Sequence, residues 1–217
     1  ELEIPSPSEL GQAGTYIQTT CRHDLRERRR KNDVVFVPIG CTENHGDHCP
    51  SGQDTFQVTQ FLEGIRRYTA KQGREVNLAF PPLLYGGHPY HHIGMPGTVI
   101  LPQEVVVETI IAVMLGLWDD GFRKIILINT HGQLWNLVTA VQEFCKRYQL
   151  PGVFEVFDWH RATREFFAPN NGKPNCMETP FVHADESETS LGLLMFPEMI
   201  KMDYAVDTKG KKYLDEG

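Results

Sequence analysis

Apolar residues along this 217-residue chain fall into two recurring patterns, short unbroken runs and longer stretches at helical spacing, and the two alternate. A basic segment around 22–31 reads as a short helix, followed by the run Val34–Ile39, which reads as a buried strand. In 55–69, Phe56, Val58, Phe61, Leu62, Ile65 and Tyr68 recur at helical spacing. A second strand is expected at 76–80, stopped by Pro81 and Pro82, then a Gly/Pro/His loop over 83–97 and a short strand at 98–101. The stretch 102–118 has helical periodicity, with Pro102 suited to its first turn. Lys124–Asn129 contains the Ile-Ile-Leu-Ile run typical of a strand buried on both faces. Helix 137–148, strand 152–157 and a helix from 188 complete the alternation, and residues 1–20 read as an irregular lead-in. Strands alternating with helices imply a mainly parallel sheet covered on both faces, with right-handed crossovers. There is no internal repeat, and the whole chain, 1–217, reads as a single domain.

Composition narrows the functional classes. A formal net charge of −7 argues against gripping nucleic acid or anionic lipid through bulk electrostatics, and the basic run from Arg26 to Lys31 reads as a solvated helix face. Five cysteines, widely spaced and without a CxxC pair, give no disulfide framework. No apolar stretch approaches the ~20 residues that span a bilayer, and no signal pattern opens the chain. The expectation is a soluble, cytoplasmic protein without nucleic-acid or membrane partners. The chain begins with Glu rather than Met, so trimming at one or both ends is expected.

The histidines supply the chemistry, because each rich segment follows a predicted strand. In open α/β sheets ligands bind beyond the carboxyl ends of the strands, so these loops should meet at one edge. After the first strand come Glu43, His45, Asp47, His48 and Asp54, flanked by Cys41 and Cys49. Carboxylate and imidazole suit Zn²⁺, Mn²⁺ or Fe²⁺, and a carboxylate such as Asp54 can bridge two cations ~3.5–4 Å apart. Without a base in a nucleophile pattern, Cys41 and Cys49 read as packing residues. After the Ile-Ile-Leu-Ile run, His131 sits at the strand end as a ligand, Gly132 permits a tight turn, and Asn129 can fix the ligand from behind. In His183-Ala184-Asp185-Glu186-Ser187-Glu188, Asp185 or Ser187 can cap the next helix. Three carboxylates beside a histidine exceed the need for a cap. His183 is a candidate proton carrier, Glu186 a second catalytic candidate and Glu188 a metal ligand. The loop Gly86–Thr98, with His88, Tyr90, His91 and His92, reads as a rim that touches substrate, and His48 and Gln133 join Tyr90 and His92 as substrate-binding candidates.

Taken together, Gly40-Cys41-Thr42-Glu43-Asn44-His45-Gly46-Asp47-His48-Cys49-Pro50 with Asp54, Met95-Pro96-Gly97-Thr98, Asn129-Thr130-His131-Gly132 and His183 through Ser190 resemble the creatininase (creatinine amidohydrolase) family in four ordered motifs. The resemblance implies a three-layer α/β/α sandwich, a homo-oligomer that is usually a hexamer, and two divalent metal ions per chain. It assigns Glu43, Asp54 and His131 to one ion and His45 and Asp54 to the other, and it gives His183 the proton transfer. Where creatininase completes the second site with a glutamate two residues past the strand-end histidine, this chain has Gln133, so Glu188 is expected to replace it. The implied activity is hydrolysis by a metal-activated water, on a small cyclic amide, a formamide or a ring ketone such as an oxidised inositol. Two alternatives stand beside it: a non-catalytic metal-binding oligomeric scaffold, and a metal-dependent isomerase or aldolase acting on a polyhydroxylated ketone.

Overall fold

The computed structural model describes residues 16–167, 177–179 and 181–207. The basic segment forms helix α1 (Arg22–Lys31) and leads into strand β1 (Val34–Ile39). There follow α2 (Gln53–Lys71), β2 (Asn77–Leu78), α3 (Gln103–Asp119), β3 (Lys124–Asn129), α4 (Leu134–Tyr148) and β4 (Val153–Asp158). The short α5 (Trp159–Ala162) and α6 (Arg164–Phe167) and the helix α7 (Glu186–Met195) complete the series. The strands pair in parallel in the order β2-β1-β3-β4, and β1 and β3 run in register from Val34 beside Lys124 to Ile39 beside Asn129.

Side-chain alternation along β1 and β3 creates the three layers. Val35, Val37 and Ile39 of β1 join Ile125 and Leu127 of β3 in a core with Ile110, Met114, Leu137 and Phe144 of α3 and α4. The intervening Phe36, Ile126 and Ile128 face the other way, onto Val58 and Leu62 of α2. The sheet is therefore covered on both faces, as the unbroken apolar runs predict. From β1 the chain crosses through α2 on one face to β2; from β2 it crosses through α3 on the opposite face to β3, on the far side of β1. That reversal opens a crevice at the carboxyl ends of β1 and β3, the place where such sheets bind ligands.

Several expectations change. Residues 98–101 do not form a strand. Val99 N–H donates to the Thr42 carbonyl and Leu101 N–H to the Gly86 carbonyl, so this stretch laces two loops together instead of extending the sheet. The second strand shrinks to Asn77–Leu78. Helix α2 begins two residues before the expected 55, and α7 two before the expected 188, shifts that decide which acidic side chains face inward. Pro102 precedes α3 as its N-cap. Of the expected lead-in, residues 1–15 lie outside the described residues; Tyr16 bridges to Leu78, and 17–19 form a single 3₁₀ turn.

Two glycines let the crevice close. A Cβ at Gly40 would lie 2.7 Å from the Thr55 backbone, so only glycine lets the exit of β1 press against the start of α2. At Gly86 a Cβ would meet Gln133 Oε1 at 2.6 Å and Cys41 Sγ at 3.0 Å.

Candidate metal centre

The loop after β1 is shaped by its own hydrogen bonds. Glu43 N–H donates to the Ser51 carbonyl at 3.0 Å, Asn44 N–H to Thr98 Oγ1 at 2.8 Å, and Gly46 turns with φ of 72°. These contacts aim Glu43 and His45 back at the sheet edge. Asp54 enters from the first turn of α2, where the helix dipole favours a carboxylate. His131 enters from the end of β3; Asn129 Nδ2 donates to the His131 carbonyl at 2.6 Å and to Asp158 Oδ2 at 2.8 Å, bracing the turn as expected of it. Thr130 Oγ1 donates to the Asp54 carbonyl at 2.8 Å, joining β3 to α2.

These side chains converge. His131 Nδ1 lies 2.9 Å from Glu43 Oε1 and 2.8 Å from Asp54 Oδ2. His45 Nε2 lies 3.4 Å from Asp54 Oδ1 and 3.8 Å from Glu188 Oε2. His183 Nδ1 is 3.8 Å from Glu43 Oε1 and 3.9 Å from Glu188 Oε2. His92 Nδ1 is 3.0 Å from Glu43 Oε2. Glu43, His45, Asp54 and His131 each expose 2% or less of their surface.

His92 hydrogen-bonds Glu43, but the approaches among His45, Asp54 and His131 are poorly aligned. His131 Nδ1, Asp54 Oδ2 and His45 Nε2 are buried and none has an aligned hydrogen-bond partner, although each lies within 4 Å of an opposite polar atom. Buried polar atoms are nearly always satisfied, so unaligned donor atoms aimed at a shared space have the arrangement expected of ligands to a cation. Glu43, His45 and Asp54 form one group whose donor atoms lie within 4.8 Å of one another, and His45, His183 and Glu188 another. Imidazole and carboxylate donors fit zinc, manganese or iron alike.

The carboxylates and imidazoles of the cluster shift one another's pKa values. Burial alone would lower the His45 imidazole, yet the Asp54 carboxylate beside it and Glu188 raise it to about 10. His131, equally buried, is lifted well above the ordinary range, chiefly by Asp54. Burial would raise Asp54 and Glu43, but the neighbouring imidazoles hold both below the usual carboxylate range. Burial pushes Glu188 up to about 8, helped by Asp54 and Asp185. Burial and the charge of His45 depress His183.

The remaining sequence candidates divide. His48 Nε2 contacts Thr189 Oγ1 at 2.8 Å beside the cluster, and Tyr90 is exposed on the neighbouring loop, its ring edge-on to His88. Glu186, the second catalytic candidate, points toward the 177–179 segment. Its Oε2 accepts hydrogen bonds from Glu178 N–H, Thr179 N–H and Thr179 Oγ1, so the carboxylate braces the 177–179 segment. Gln133, a substrate-binding candidate, bridges two loops. It is fully buried, Oε1 accepting from Gly87 N–H at 3.2 Å and Nε2 donating to the Gly40 carbonyl at 3.3 Å. Asp185 is the helix cap, accepting from Ser187 and Glu188 N–H. Sequence reasoning missed two positions. Gln53 Nε2 donates to the Glu188 carbonyl at 2.7 Å, and Cys41, read as packing, places Sγ among the ligand atoms of Asp54 and His131. Its place directly after β1 was the available signal.

Residues 18–217 match the family model for creatininase, described as creatinine amidohydrolase. The chain belongs to the creatininase family. Over 205 residues it is 42% identical to the 3-dehydro-scyllo-inosose hydrolase of Thermotoga maritima, covering 94% of this chain and 63% of that protein, so it spans just under two thirds of that relative. It is 23% identical over 184 residues to the creatinine amidohydrolase of Pseudomonas putida, covering 80% of this chain and 68% of the relative. A solved mutant creatininase described as Zn-Zn type superposes with a TM-score of 0.73 at 20% identity, covering 92% of this chain and 80% of that one. The creatininase fold thus explains the layers and the sheet order seen here.

Proposed function

We propose that this creatininase-family chain carries a two-cation hydrolytic site acting on a small cyclic polyhydroxylated ketone. The observation that carries the reading is the buried convergence of Glu43, His45, Asp54, His131 and Glu188 beyond the carboxyl ends of β1 and β3, with His45 Nε2, Asp54 Oδ2 and His131 Nδ1 lacking an aligned hydrogen-bond partner. Glu43, Asp54 and His131 would hold one ion and His45, Asp54 and Glu188 the other, with Asp54 shared. Bound divalent cations supply Lewis-acid polarisation of a carbonyl and lower the pKa of water toward neutrality.

The chain's own residues handle the protons. His183 Nε2 faces the Asn44 carbonyl at 2.6 Å, which fixes the ring proton there and leaves Nδ1 as the basic nitrogen, facing Glu43 and Glu188. Its depressed pKa keeps the ring neutral at physiological pH, ready to take a proton from water and return it to the leaving carbon or nitrogen. His92 holds Glu43 through Nδ1 and so orients that carboxylate. His48 and Tyr90, near the mouth, offer hydrogen bonds to substrate hydroxyls.

The ring-ketone class draws support from the name of the Thermotoga maritima relative, and the polar mouth suits a polyol better than a sparsely substituted ring. The test assays metal-quantified protein on 3-dehydro-scyllo-inosose, creatinine and a formamide. Turnover of the inosose, abolished by chelation and restored by a divalent cation, is expected; a metal-loaded protein inert toward it overturns the reading. The same reading carries a homo-oligomer, hexameric by resemblance and measurable as native mass, and a cytoplasmic setting, measurable by fractionation. Among the described residues no helix is long and apolar enough to cross a membrane.

A further inference from the structure

Cys41 is fully buried at the exit of β1, and its Sγ, a ligand atom of Asp54 and a ring nitrogen of His131 all lie within 4.8 Å of one another. The sulfur makes a long contact of 4.0 Å with the His88 carbonyl and also interacts with the His131 ring, whose pKa it helps to raise. Asp54 Oδ2 and His131 Nδ1, both buried, have no aligned hydrogen-bond partner. Space for the sulfur is built in, since any side chain at Gly86 would collide with Sγ and with Gln133.

We propose that the Cys41 sulfur is a fourth donor to the cation held by Glu43, Asp54 and His131, so that this position takes a thiophilic cation such as zinc in preference to manganese. The inference rests on the two-cation reading above. Two carboxylate oxygens, one imidazole nitrogen and one sulfur make a four-donor set of the kind zinc accepts, whereas manganese prefers oxygen-rich surroundings. On binding, the S–H bond breaks, the sulfur–metal bond forms, and the proton leaves to solvent, so affinity at this position rises with pH.

The test titrates metal-stripped wild-type protein with Co²⁺, Zn²⁺ and Mn²⁺. Cobalt bound by a thiolate shows a near-ultraviolet sulfur-to-metal charge-transfer band. Wild type and Cys49→Ser should show the band, and Cys41→Ser and Cys41→Ala should lose it. In both Cys41 variants the tighter zinc affinity should fall by about tenfold or more while manganese affinity moves less than about threefold, narrowing the preference. Wild-type protein that binds cobalt with ligand-field bands but no sulfur band overturns the Cys41 role and leaves the two-cation reading standing. A band that survives in Cys41→Ser also overturns it. Failure to bind any of the three cations overturns both readings. A wild-type spectrum without the band decides against Cys41 even if a variant does not fold, and a band in Cys49→Ser that is absent from either Cys41 variant assigns it.

Discussion

Asp54 is the residue on which both proposed ions depend, because its two oxygens face different histidines, Oδ1 toward His45 and Oδ2 toward His131. Asp54→Ala is expected to leave less than one ion per chain by elemental analysis and to cut turnover at least ~100-fold, while far-ultraviolet dichroism stays native. His183→Gln separates metal binding from proton transfer: ion content should hold and turnover should drop ~10²–10⁴-fold. In the wild type, protonating the depressed His183 removes the base, so activity falls as pH drops below the ordinary 6.5, and this acid limb should vanish in the variant. Glu43, His45, Asp54 and His131 were legible because ligand-type side chains directly after apolar runs must lie at the sheet's edge. Glu186 was not. Residues 186 and 188 differ by ~200° around a helix, so which one faces inward depends on where α7 begins, and that is set by the Asp185 cap.

Among the elements, β1, β3 and α4 were readable from unbroken or 3.6-period apolar patterns: both strands keep their expected bounds, and α4 begins at Leu134 rather than at 137. The stretch 98–101 was misread because a short apolar run carries no information about its hydrogen-bonding partners, which here are the loop carbonyls of Thr42 and Gly86. Gln133 shows the same limit at the start of α4. Its sequence position beside His131 suggests a role at the site, whereas its amide spans the gap between the β1 exit and the Gly86-Gly87 loop. Gln133→Ala leaves a buried donor and a buried acceptor unsatisfied and should destabilise by ~1–3 kcal/mol. Thermal unfolding should register a drop of ~2–4 °C per kcal/mol.

For the molecule as a whole, the cluster couples stability to pH. The folded Glu188 at about 8 lies above its ordinary 4.5, so its contribution is complete below 4.5 and lost as pH rises through 8. The folded His45 at about 10 lies above 6.5, so its contribution is lost between 6.5 and 10, and the raised His131 acts in the same direction. Depressed His183 opposes them, gaining stability as pH rises toward 6.5. Asp54 and Glu43, both depressed, contribute above the ordinary carboxylate range and are lost on acidification. Chelator-treated protein should therefore melt highest in mild acid and progressively lower from about pH 5 to about pH 9. Added zinc should flatten or reverse that slope, because ions compete with protons for the same atoms. A further consequence lies in the pairing of Ile39 beside Asn129. A slip of one residue between these neighbours would carry His131 ~3.3 Å away from Glu43, more than a coordination shell tolerates. At the proposed site, ion capture would thus proofread strand alignment, rewarding the correct pairing over its nearest competitor.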